Sequence, residues 1–247
     1  MKAIVTGSQG FIGRHLVAYL RAADWEVRGI DCAEGADEVR DISWAGIGET
    51  PADVLFHLAA SPSRASHHEG TNAAMAKTVA YWANRNPAAR VVFASSWMAG
   101  VAFCGYARSK ADAERLLYYE TSPRDRLVIL RLPNIYGPGG AGVMDIFKRQ
   151  AVQGAALTVH ARGQQMREFM HVEDAVAALV QYGTTSPAAD PEILVELEGE
   201  REAIIWLTAI LRKADAVQFS EGPDFGPELT GRRIYGTKHS LRSYLGE

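Results

Sequence analysis

The stretch KAIVTGSQGFIG, residues 2–13, decides the fold. Lys2–Thr6 is an apolar run of strand length, and Phe11–Arg21 reads as the helix behind it. Between them, Gly7, Gly10 and Gly13 recur at every third position. Gly7 permits the tight turn, Gly10 lets the backbone approach a pyrophosphate, and Gly13 lets the helix pack closely on the strand. Phosphates then lie at the helix N-terminus, where free N–H groups and the macrodipole favour anions. The spacing is G-x-x-G-x-x-G rather than G-x-G-x-x-G, and an ordinary β-α turn also uses glycine. The strand-turn-helix context is what points to a dinucleotide.

Further apolar runs follow at Glu26–Asp31, Asp53–Ala59, Arg90–Ser95 (RVVFAS) and Arg126–Leu132 (RLVILRL). They lack polar/apolar alternation, as strands covered on both faces do. Gly70–Asn84 and Tyr106–Tyr119 read as helices, free of proline and rich in Ala, Leu, Glu and Lys. Strand and helix in alternation predict an α/β fold, a Rossmann-type doubly wound parallel sheet. Pro133–Gly142 (PNIYGPGGAG) reads as loop. Beyond it come an amphipathic helix carrying Val143, Ile146, Phe147 and Val152, a strand at Leu157–His160 and a helix from Glu173 to Tyr182. The expected division is a nucleotide-binding domain over residues 1–135. A small C-terminal α/β substrate-binding appendage, residues 136–247, is interleaved with it.

Composition narrows the function. Lys and Arg total 26 against 29 Asp and Glu, a net charge of −3, and no polybasic stripe is visible, so nucleic acid is not an expected partner. Cys32 and Cys104 form no C-x-x-C pair and read as small buried or semi-buried residues. The N-terminal apolar run is too short and too broken by glycine for a signal peptide or membrane span, so a cytoplasmic protein is expected. No metal is expected either. His67-His68-Glu69 lacks the i, i+4 spacing of a zinc helix, and the segment His171-Val-Glu-Asp174 lacks a third convergent ligand.

Several polar residues fall where such a sheet binds ligands. Asp31 ends the second strand, where a carboxylate accepts hydrogen bonds from adenosine ribose hydroxyls and repels a 2′-phosphate, favouring NAD. A turn aspartate is the rival reading. Asp41 and Ile42 are candidates for the adenine side, although a loop aspartate is equally natural there. Ser95-Ser96 closes a strand, and Ser96 there reaches a substrate oxygen or caps a turn. Tyr106 and Lys110 are four apart on a helix and share a face. A nearby cation would pull the phenol down from its reference pKa near ~10, making it a general base for a hydroxyl.

Taken in order, Gly7-x-x-Gly10-Phe11-Ile12-Gly13, Asp31, His57-Leu58-Ala59-Ala60, Asn72, Ser95-Ser96 and Tyr106-x-x-x-Lys110 resemble the NAD-dependent epimerase/dehydratase family of extended short-chain dehydrogenases/reductases. Arg131-Leu-Pro-Asn-Ile-Tyr-Gly-Pro-Gly139 and Arg167-Glu-Phe-Met-His-Val-Glu-Asp174 extend the likeness to about residue 185. The resemblance implies NAD held by the glycine turn with Phe11 and Ile12, and by Asp31, Asp41, Ile42, Leu58, Ala59, Ala60, Asn72, Tyr106 and Lys110. It implies catalysis by Ser96, Tyr106 and Lys110. A nucleotide-diphosphate sugar would be the substrate, touched by Asn134 and gripped by Arg167, with Arg232-Arg233 as a second anion contact. A homodimer through a four-helix bundle of residues 72–84 and 106–119 is also implied.

Two departures bear on the reaction. Tyr106 follows Ser96 by only ten residues, a shortened loop for this family. Trp97-Met98 stands where the family's 4,6-dehydratases and decarboxylating members place an Asp or Glu. Neither side chain transfers protons, so simple oxidation and reduction is the better match. The expected activity is a sugar-nucleotide epimerase acting at carbon 4. A one-way ketoreductase or dehydrogenase and a non-catalytic NAD-binding sensor are the alternatives.

Overall fold

The computed structural model describes residues 1–61, 69–101, 104–160, 163–185, 193–204, 206–207, 217–220 and 239–245. The chain forms two compact units, residues 1–132 with 176–196 and residues 133–175 with 197–247.

The first unit holds a seven-stranded, all-parallel sheet. Its strands are β1 (Lys2–Thr6), β2 (Glu26–Asp31), β3 (Glu38–Val39), β4 (Val54–His57), β5 (Arg90–Ser96), β6 (Leu127–Leu132) and β10 (Leu194–Glu196). They lie in the order β10-β6-β5-β4-β1-β2-β3, each parallel to its neighbour. The chain leaves β1 towards β2 on one side and returns to β4 on the other. The carboxyl ends of β1 and β4 therefore flank a topological switch point, the place where such sheets bind ligands. The apolar runs bury on both faces: Val54–His57 is buried throughout, and six of the seven β5 residues are buried.

Helices α1 (Phe11–Ala22), α2 (Glu69–Arg85) and α3 (Gly105–Glu120) belong to this unit. Met75, Val79 and Trp82 of α2 and Ala113 and Leu117 of α3 enter one core with Leu55, Val91, Phe93 and Ile129 of the sheet. Helix α5 (Val172–Thr184) ends in the first unit, where Gly183 lies so close to Phe56 that an added Cβ would stand 2.7 Å from its ring.

In the second unit β7 (Asn134–Tyr136), β9 (Met166–His171) and β11 (Glu200–Ala203) form a three-stranded sheet ordered β11-β9-β7. A second pair joins β8 (Leu157–His160) to β12 (Val217–Ser220) in parallel. Helices α4 (Val143–Val152) and α6 (Leu241–Leu245) complete the described elements. Met144, Phe147 and Leu241 join Tyr136, Phe169 and Leu207 in its core.

Residues 133–142 are not loop throughout. Asn134–Tyr136 is a strand because β9 offers it a parallel ladder, Asn134 opposite Phe169 and Tyr136 opposite His171. The segment after α5 likewise yields β10 and β11. Cys32 is exposed rather than buried, and Cys104 is half-buried; both are free thiols. No described helix is long and apolar enough to cross a membrane.

Candidate active site

The glycine turn has little freedom. Gly7 takes φ +74°, and a Cβ on it would stand 2.6 Å from the Ala59 backbone nitrogen. A Cβ on Gly13 would stand 1.9 Å from the Gly7 carbonyl oxygen. The turn is closed by Gly10 N–H donating to Gly7 O at 3.0 Å, and Gly7 N–H donates to Ile30 O at 2.8 Å. Gly10 caps α1 without a side-chain hydrogen bond, and no acid sits in the first helical turn. A helix start so arranged suits an anion. Phe11 and Ile12 are the half-buried opening residues of this helix.

Asp31 stands at the end of β2 and receives two backbone N–H groups, Gln9 at 2.9 Å and Ala33 at 3.0 Å. The carboxylate is thus a turn ligand, and it holds the glycine loop against β2. Asp41 accepts the Ser43 N–H at 2.8 Å, and that partner lowers its pKa. Ile42 is core, 3% exposed. After β4, Leu58 N–H donates to Thr6 O at 3.0 Å, and Ala59 and Ala60 continue along the turn's flank. His57, just before them, is buried and structural. Its Nδ1 pairs with Thr6 Oγ1 at 2.8 Å, its ring stacks on Phe93, and burial pushes its pKa down to about 3.

Asn72 of α2 is buried and tied to protein. Its Oδ1 accepts from Ser61 N–H at 2.8 Å, and its Nδ2 donates to Ser109 Oγ at 2.8 Å. It therefore joins the segment after β4 to helix α3, which carries the candidate acid–base pair.

Ser96 ends β5 and begins a 3-10 turn over Trp97–Gly100, where its Oγ accepts from Met98 N–H at 3.3 Å. Tyr106 and Lys110 lie in the first two turns of α3. Lys110 Nζ donates to Ala94 O at 2.7 Å and sits 4.3 Å from the Phe93 ring centroid. The ammonium is therefore tied to β5 two residues before Ser96. Burial pushes Lys110 down to about 7, against the pull of Glu114. The Tyr106 phenol is raised, not lowered as expected: burial disfavours the phenolate, and Cys104 adds to it.

One charged group went unread in the sequence. Glu114, one turn past Lys110, accepts Ser95 Oγ–H at 2.5 Å and two bonds from Arg131 at 3.0 and 2.7 Å. Arg131 also donates to Glu196 at 2.7 Å. The i, i+4, i+8 row Tyr106, Lys110, Glu114 was the available signal.

Asn134 and Arg167 belong to the second unit, on β7 and β9. Asn134 Nδ2 donates to Glu168 O at 2.9 Å, and Arg167 Nη1 donates to Met166 O at 2.7 Å. Arg232 and Arg233, like His67 and His68, lie outside the described residues. The fold brings His239 beside His171 and Glu173, one ligand atom of each lying within 4.8 Å of the others.

A parallel sheet with this glycine turn, a serine at the end of β5 and a Tyr-x-x-x-Lys helix beside it defines an extended short-chain dehydrogenase/reductase. The chain belongs to the NAD dependent epimerase/dehydratase family, whose model matches residues 3–195. It is 34% identical over 110 residues to UDP-glucuronic acid decarboxylase 6 of Arabidopsis thaliana, a match covering 42% of this chain and 29% of that protein. It is 30% identical over 228 residues to the ceramide reductase of Caulobacter vibrioides, covering 85% of this chain and 68% of that one. Among solved structures, UDP-glucuronic acid 4-epimerase from Bacillus cereus, in complex with UDP-glucuronic acid and NAD, superimposes with a TM-score of 0.82. That match has 21% identity and covers 99% of this chain and 96% of the other.

Proposed function

We propose that this protein binds NAD and epimerises a nucleotide-diphosphate sugar at carbon 4. The observation that supports this reading is the bond from Lys110 Nζ to Ala94 O, which ties the helix carrying Tyr106-x-x-x-Lys110 to β5 two residues before Ser96. The glycine turn fits the dinucleotide: Gly7 and Gly13 leave no room for a Cβ, and the start of α1 has no acid of its own. Asp31 supports NAD over NADP, since a second anion beside its carboxylate is disfavoured. When bound, the dinucleotide supplies a hydride acceptor and then donor.

The protein's own groups handle the proton. Ser96 Oγ–H donates to the sugar oxygen, and Tyr106 Oη takes the hydroxyl proton as the carbon is oxidised. Lys110 supplies the positive charge that favours the phenolate. For inversion the keto sugar presents its other face, the carbon regains hydride, and Tyr106 returns the proton. Asn134 and Arg167 are assigned to the nucleotide sugar and its diphosphate. Trp97 and Met98 carry no transferable proton, which argues against water elimination and decarboxylation. An intact Tyr106 and Lys110 argue against a mere sensor.

A one-way ketoreductase has its own support. The reductase relative matches 85% of this chain, against 42% for the decarboxylase. Denaturing freshly purified protein and identifying the released small molecules separates the two. NAD near one per chain, with UDP-sugar interconversion that needs no added cofactor, supports the epimerase. Empty protein that consumes NADH with a keto substrate supports the reductase. Protein that binds neither NAD nor NADH sinks both. A homodimer through α2 and α3 is proposed as well. Tyr81 and Tyr119 on these helices are 67% and 68% exposed, and a sedimentation experiment showing monomer at micromolar concentration would exclude it.

A further inference from the structure

The second unit gathers four titratable side chains where β9 meets α5. His171 ends the strand, Glu173 and Asp174 lie in the first helical turn, and His239 comes from the last described segment. One ligand atom from each of His171, Glu173 and His239 lies within 4.8 Å of the other two. The rings of His171 and His239 are 4.6 Å apart, centroid to centroid.

His239 is held between two carboxylates. Its Nδ1 is 3.0 Å from Asp174 Oδ1, and its Nε2 is 3.0 Å from Glu173 Oε2. Asp174 is 1% exposed, and its other oxygen accepts the His239 backbone N–H at 3.1 Å. One ring nitrogen thus faces a buried carboxylate and the other an exposed one, so an ion bound at Nε2 would be shared with Glu173 while Asp174 holds Nδ1. A carboxylate that fixes a histidine tautomer through its second nitrogen is also the arrangement that orients metal-binding imidazoles. His171 Nδ1 accepts the Glu173 N–H at a long 3.3 Å, which ties its ring to the same helix start.

We propose that His171, Glu173 and His239 bind one transition-metal dication such as zinc, with Asp174 as the orienting partner of His239. Two imidazoles and one carboxylate suit zinc, cobalt or nickel, whereas magnesium and calcium prefer all-oxygen sets. Glu173 and His239 are partly exposed, 60% and 41% at the side chain, so an ion reaches the cluster from solvent. The bound ion would clip the segment carrying His239 and α6 onto β9 and α5. The proposal does not depend on the dinucleotide reading.

The test uses tag-free full-length protein stripped with a chelator, then titrated with Zn²⁺ by calorimetry and with Co²⁺ by visible absorption. The expected result is one saturable site, a raised melting temperature, and no comparable response to Mg²⁺ or Ca²⁺. His239→Ala and Glu173→Gln should each weaken binding by more than ~10-fold, and Asp174→Asn by roughly tenfold. Glu173 is exposed, so its variant keeps the fold if that of His239 does not. Lack of saturable binding overturns the proposal. So does binding that Glu173→Gln leaves unchanged, or a stability effect of His239→Ala confined to acid pH, which would mean that a proton fills the cluster.

Discussion

Arg131 holds both carboxylate oxygens of Glu114, at 3.0 Å through Nε and 2.7 Å through Nη2, beneath the strand end that carries Ser95 and Ser96. The pair is well shielded, with side-chain exposures of 15% and 9%. Its neighbours fit tightly: a Cβ on Gly100 would stand 2.9 Å from Arg131 Nη1. Removing one member of such a pair strands the other charge, which costs about 3–5 kcal/mol. Arg131→Met should therefore lose about that much stability in urea denaturation. Glu114→Gln should lose less, because its amide still accepts from Ser95 and Arg131 retains Glu196. A loss below ~1 kcal/mol for Arg131→Met would place the pair among solvent-screened surface bridges.

Gly13→Ala tests the turn. The new methyl would meet the Gly7 carbonyl oxygen, which is backbone and has no rotamer to adopt. We expect loss of NADH binding, read by fluorescence, and a stability loss of about 1–3 kcal/mol. Gly70→Ala is the matched control, since nothing lies within 4 Å of its added carbon. It should be neutral, or stabilising by at most about 1 kcal/mol. Equal effects of the two would mean that the turn tolerates a side chain.

His57 should make the protein acid-sensitive. Burial holds the ring neutral to about pH 3, whereas the unfolded chain protonates near ~6.5. Between those values the unfolded state binds the extra proton, so stability falls as the pH drops through that window. His57→Gln removes the titration. Below about pH 6 its stability should decline less steeply than the parent's, by up to ~1.4 kcal/mol per pH unit. Parallel slopes would show that the buried ring is not a source of acid lability.

Lys110 carries the opposite end of the pH scale. Its native pKa of about 7 lies below the unfolded value near ~10.4, so folding disfavours the ammonium. That penalty is complete below pH 7 and vanishes as the pH rises past ~10. Lys110→Met should gain most on the parent near pH 6.5, with the gap closing towards pH 10. The same variant should lose turnover, so stability and activity move in opposite directions. A gap that stays constant with pH would show that Lys110 titrates alike in both states.

Much of this was readable because the first unit advertises itself locally. RVVFASS and RLVILRL are long apolar runs with unmistakable ends, and Gly7, Gly10 and Gly13 act within one turn. Ser96, Tyr106 and Lys110 lie within fifteen residues of sequence. What stayed hidden is held together across distance. β7 and β10 have three residues each, too few to show a period, and become strands because β9 and β6 provide ladders. The direction of Lys110 towards Ala94 depends on the strand that α3 packs against, and the raised Tyr106 phenol on its burial. Glu114 meets Arg131 seventeen residues on, and His239 meets Asp174 across sixty-five.

The strand β10 returns to the first sheet after the chain has visited the second unit, and it covers the outer side of β6. Its own far side is three residues long and ends on Glu196. A fragment cut near residue 135 would keep the glycine turn, Ser96, Tyr106 and Lys110, yet leave β6 without the partner that pairs with Ile129–Arg131, as an open sheet edge. Such edges recruit further chains by strand pairing. The late segment is therefore a seal against self-association, and a nucleotide-binding half made without it should precipitate before its affinity can be measured.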